Sequence, residues 1–229
     1  PLLLLVGYNL VVWGAPFVIG YAYSARFPEH FSSGILGITY PNLQALGGLT
    51  FSPYRGLFFI SPFLLLSIPG LYFLWKRQDS RREFWLIAWS AISLLFFLSS
   101  IPEWDGGFAV GPRYLIIALP FLALPVGVAT DRFWSPQEFR FVFCSVLVFS
   151  ILLVGIESVG GQMFPQYTPN PLLDYSIPQV LAGNIARNWG MLFGLARLSS
   201  LIPIVILVGC FPLLLIKGLH SDERVGISD

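Results

Sequence analysis

FVFCSVLVFSILLVGIE, residues 141–157, holds one charged side chain, and that one is its last residue. A helix rises 1.5 Å per residue, so about 20 such residues cross about 30 Å of hydrocarbon. With a turn added at either end the stretch is long enough to do so. Five further apolar stretches extend the pattern in both directions: 1–19, 56–75, 84–101, 114–129 and 198–216. The first is partial and the one at 114–129 is short.

Composition agrees with a membrane protein. Of the 229 residues, 55% are hydrophobic and 11% charged, whereas a soluble domain carries about a quarter charged. The expected fold is an all-α polytopic transmembrane helical bundle of about six spans with partly helical extracytoplasmic loops. Residues 1–217 are expected to form the transmembrane domain, read as a fragment of a longer chain since the sequence opens on Pro-Leu-Leu-Leu-Leu without methionine or leader, and residues 218–229 a cytoplasmic tail. Prolines inside the spans, such as Pro62, Pro69, Pro120 and Pro125, predict kinks.

Lysine and arginine set the orientation, since cytoplasmic loops are enriched in both. Lys76, Arg77, Arg81, Arg82, Arg132, Arg140, Lys217 and Arg224 fall on one side of alternating spans, and Arg26, Arg55, Arg113, Arg187 and Arg197 on the other. The first side is the cytoplasm. All the outer basic residues are arginines, whose planar fork of donors suits phosphate or carboxylate; the ordinary alternative is snorkelling to lipid head groups.

The outer side also holds two mixed segments, 21–55 and 159–197. Both suit an interfacial path, with 179–196 expected as an amphipathic surface helix. Tyr167, Asp174, Arg187 and Trp189 are candidate binding residues of the second segment.

A formal net charge of +1 and no concentrated basic face exclude a nucleic-acid partner. Cys144 and Cys210 lie within apolar runs and read as packing residues. His30 and His220 stand far apart, and no cluster has metal-ligand spacing. Signatures of soluble enzymes, GxSxG, HExxH, the P-loop and GxGxxG, are absent.

Polarity concentrates instead in EWDGGFAVGPRYL, residues 103–115. Pro102 ends one helix, Gly106 and Gly107 allow positive φ, and Pro112 precedes the next span. Arg113 stands at the outer lip of that span, where its charge adds to unsatisfied N–H groups and favours an anion. SPYRGLFFISP, residues 52–62, places Tyr54 and Arg55 at the mouth of another span. Two such arginines are expected to bracket one lipid phosphate, with Asp105 or Glu103 orienting Arg113 and Trp104 beside them. The competing reading is a tight hairpin in which Asp105 only caps or pairs with Arg113.

GILGITYPNLQALGGLTFSPYRGLFFISPFLLLSIPGL, residues 34–71, and WDGGFAVGPRYLIIALPFLALP, residues 104–125, resemble the C-terminal half of bacterial GT-C glycosyltransferases of the protein O-mannosyltransferase and aminoarabinose-transferase-like superfamily. The resemblance covers most of residues 8–125. It implies a multi-pass protein of the bacterial inner (plasma) membrane that moves a sugar from a polyprenyl-phosphate carrier to a lipid, glycan or protein acceptor. In that superfamily the catalytic acid lies in the first outer loop, upstream of residue 1, so no catalytic residue is carried over. No cofactor is fixed by these residues, and use of a divalent metal stays open, its ligands expected upstream. A transporter or flippase for an anionic lipid or glycan, and a non-catalytic membrane subunit, are the alternatives.

Overall fold

The computed structural model describes residues 2–18, 37–161 and 163–210. The protein is all-α, with ten helices among the described residues. Its chain divides into two compact units, 1–151 and 152–229.

Three helices are long and apolar enough to cross a membrane: Gln78–Ser99, Arg113–Phe133 and Gln137–Val159. They correspond to the stretches expected at 84–101, 114–129 and 141–157, each longer than anticipated. The extra turns are polar: Asp131 and Arg132 close the second, and Gln137 and Glu138 open the third. Side chains on these helices are widely exposed, among them Trp85, Trp89, Phe141, Phe149 and Ile151. Water would oppose so much exposed apolar surface, whereas hydrocarbon solvates it.

Shorter apolar helices occupy Leu2–Trp13, Pro62–Lys76 and Arg197–Cys210. The span expected at 56–75 is broken. Helix α3 covers Leu57–Ile60, Ser61 leaves helical geometry at φ −131°, ψ 68°, and a 3₁₀ turn at Pro62–Leu66 leads into α4, Ser67–Lys76. Pro62 is the cause: it lacks an N–H, and its ring disfavours helical backbone at the preceding residue. The stretch expected at 1–19 yields α1, Leu2–Trp13, which stops where Gly14 takes φ 73°. Asn9 then donates from Nδ2 to the carbonyls of Pro16 and Val18, holding the chain beyond the turn.

In the first unit, Leu49, Leu57, Leu64, Leu98, Leu115 and Leu122 belong to one buried cluster. They come from α2 (Leu43–Thr50), α3, the 3₁₀ turn before α4, α5 (Arg81–Ser99), and α6 (Leu119–Phe133) with its 3₁₀ entry at Arg113–Ala118. Helices α4 and α6 touch backbone to backbone, since a Cβ on Gly70 would overlap the Pro125 carbonyl. Small residues allow such approach where lipid gives helices no hydrophobic drive to associate.

The second unit begins within helix α7 (Gln137–Val159), after which comes an antiparallel bridge between Gly160 and Ile185. A π-helical turn at Leu172–Ser176 enters α8, Ile177–Leu181. The amphipathic helix expected over 179–196 is not continuous. Gly183, at φ 76°, separates α8 from α9, Trp189–Leu192, and Gly194, at φ 78°, follows the end of α9. Cys144 and Cys210 are exposed on their helices instead of packed, which follows from apolar helices with few neighbours. His30, His220, Arg26, Lys217 and Arg224 lie outside the described residues, as does the tail expected at 218–229.

Candidate functional site

Helix α5 ends at Ser99, and its last carbonyls are met from another segment. The amides of Asn42 and Thr39 donate to Ser99 O at 3.0 Å and Ser100 O at 2.8 Å. These bonds satisfy carbonyls that a helix terminus leaves open. They also tie the start of α2 to the chain entering the 101–112 turn, where Gly106, Gly107 and Gly111 take φ of 76°, 67° and 59°. Only glycine adopts those angles without a Cβ penalty.

Four of the six predicted site residues meet at this turn. Tyr54 donates its hydroxyl to Asp105 Oδ2 at 2.6 Å, and Gly107 N approaches Asp105 Oδ1 at 3.4 Å. Tyr54 also stands edge-on to Trp104, with ring centroids 6.0 Å apart. Arg55 is fully buried. Its Nε donates to Asp105 O at 3.2 Å, Nη1 to Tyr54 O at 3.3 Å and Nη2 to Gly107 O at 2.8 Å, while its Cζ lies 4.4 Å from the Tyr54 ring centroid.

The expectation that Arg55 brackets a phosphate beside Arg113 therefore requires correction. All three guanidinium nitrogens serve main-chain carbonyls, so Arg55 fastens the turn from beneath. Burial makes this arrangement strong, because a cation away from water needs dipoles aimed at it. Asp105 is likewise bonded by Tyr54, not by the Arg113 pairing that the hairpin reading supposed.

Arg113 is exposed. Its Nη2 donates to the Tyr114 hydroxyl at 3.1 Å and its Cζ lies 4.9 Å from that ring. Its aliphatic stem rests on Gly106, where a Cβ would come 3.0 Å from Arg113 Cγ. Glu103 is half-buried, and its carbonyl accepts Gly106 N at 3.0 Å. One arginine, Arg55, is thus buried against the turn, and the other, Arg113, is exposed beside Gly106.

Three contributors were not anticipated. Gly48 in α2 lies against the Trp104 indole, which any Cβ would overlap, and a Cβ on Gly56 would meet the Ser52 backbone at about 2.5 Å. Tyr114 holds the Arg113 guanidinium. The adjacent pair Gly47-Gly48 within a helix is the signal that marks the first, since glycine there costs about 1 kcal/mol without a packing reason.

Tyr167, Asp174, Arg187 and Trp189 are all exposed, in the second unit. Among the described residues no three His, Cys, Asp or Glu side chains gather as a metal site. Fold and site define an all-α protein with three helices able to cross a membrane and a charged, glycine-rich turn. No family model, curated protein or solved structure matches the chain.

Proposed function

We propose that the chain is part of a polytopic bacterial inner-membrane glycosyltransferase, in which three long and three shorter apolar helices make about six crossings. It would take a sugar from a polyprenyl-phosphate carrier to a lipid, glycan or protein acceptor at the outer face. The observation that carries this reading is the exposed Arg113 guanidinium at the entry to a long apolar helix, seated on a turn made rigid by Arg55. Breaking a glycosidic bond to a phosphate adds negative charge to the leaving group, and a fixed donor there lowers the barrier. Arg113 is that donor, while Tyr54, Asp105 and Trp104 position the turn. Glu103 contacts sugar hydroxyls.

Membranes carrying the whole protein and supplied with radiolabelled polyprenyl-phosphate sugar should label an acceptor. Arg113→Ala should lower transfer at least tenfold, about 1.4 kcal/mol of transition-state stabilisation, and Arg113→Lys should restore part of it. Full transfer by Arg113→Ala removes the residue from the mechanism.

Transport of an anionic lipid is the second reading, favoured by Glu157, which is 1% exposed near the end of the long apolar helix α7. Buried carboxylates in such helices mark substrate or proton paths. Vesicle flux of an unmodified lipid, lost in Glu157→Gln, would establish it in place of transfer.

A further inference from the structure

The second unit holds a recess of about 260 Å³ lined by Gly161, Tyr175, Gln179, Asn184 and Ile185. Its walls are fixed by main-chain bonds. Gly161 N donates to Asn184 O and Ala186 N to Val159 O, each at 2.9 Å, on either side of the Gly160–Ile185 bridge. The opposite wall is the π-helical turn Leu172–Ser176 running into α8. Such turns are rare and frequent at functional sites, because the extra residue re-aims a side chain. Here the turn carries Tyr175 against Gly161, which at φ 79° has no side chain to keep the phenol away. Tyr175 and Gln179, four residues apart, lie on one helical face.

The lining is chemically specific. Asn184 Nδ2 donates to Gln179 Oε1 at 2.8 Å. This leaves the Gln179 amide nitrogen as donor and the Asn184 amide oxygen as acceptor, and the Tyr175 hydroxyl can act as either. No lining residue is charged, so neither an anion nor a cation finds a counter-charge. Ile185 and the Tyr175 ring add apolar surface. Interleaved donors and acceptors beside an aromatic face match a ring that bears hydroxyls around its edge and C–H groups on its face. The volume falls below the 300–1,000 Å³ usual for drug-sized ligands, which limits the occupant to about one such ring.

We propose that this recess binds a single neutral pyranose ring, through the Gln179 and Asn184 amides and the Tyr175 hydroxyl. The lining residues all belong to the second unit, and binding here holds or fails without any glycosyl transfer.

Methyl glucoside, methyl mannoside and methyl galactoside would be titrated into the full chain, purified in a detergent without a sugar head group, with saturation-transfer NMR as the readout. At least one should bind saturably, with Kd on the order of millimolar. Loss of two hydrogen bonds in Gln179→Ala/Asn184→Ala should weaken binding about tenfold or more. Gln179→Glu, equal in shape, should weaken it as well, which covers the case in which the double variant does not fold. The proposal is overturned if none of the three saturates, if both Gln179 variants bind as the parent does, or if a neutral dipeptide amide binds where the glycosides do not.

Discussion

The 101–112 turn of the first unit and the 159–200 segment of the second are both polar chain between apolar helices, yet they are held by different chemistry. The first is organised around one buried guanidinium, with Arg55 reaching the carbonyls of Asp105 and Gly107. The second has neutral joints: Asn188 Oδ1 accepts Gly190 N at 3.0 Å, its Nδ2 donates to Ser200 Oγ at 2.9 Å, and Asn184 meets Gln179. A charge hub concentrates stability in one side chain, because removing it strands several acceptors together. Amide joints distribute it, each contributing about 1 kcal/mol. The first arrangement suits a turn that must hold a second arginine outward, and the second suits walls that must remain neutral.

Arg55→Ala should be the most damaging substitution, costing about 3–5 kcal/mol, since it leaves buried carbonyls without donors. Unfolding in detergent, followed by circular dichroism, would measure it; a loss no greater than that of an amide variant in the second unit would break the contrast. Gly190→Val should cost about 1–3 kcal/mol by overpacking, because a Cβ there overlaps the Ser200 carbonyl. Tyr54→Phe removes the donor to Asp105 Oδ2 and should cost about 1–2 kcal/mol. Its double-mutant cycle with Asp105→Asn should give a coupling above about 0.5 kcal/mol, and zero coupling would mean that the two side chains do not act together. Asn188→Ala removes the side-chain cap on α9 and should cost about 1 kcal/mol. Arg113→Gln, on an exposed side chain, should shift stability by no more than about 0.5 kcal/mol; a larger shift would make it part of the hub instead of its outward arm.

The apolar stretches were legible because a run such as 141–157 carries only two serines and a terminal glutamate among apolar side chains, so composition alone marks it for a helix in hydrocarbon. The polar turn was legible too, since Gly106, Gly107 and Pro112 cluster where two such runs end. The break at Ser61 could have been read from Pro62, whose effect on the preceding residue is local. The break between α8 and α9 rests on Gly183 taking positive φ, and a glycine in sequence does not announce which well it occupies.

Sequence by itself determined that this chain is helical, apolar and marked by an arginine at each of two helix mouths, because hydropathy and local backbone preference depend only on neighbours along the chain. Tertiary structure alone decided that Arg55 faces inward and Arg113 outward. The carbonyls that capture Arg55 belong largely to residues about 50 positions away, and a donor's partner is fixed only when the chain has folded back to present it.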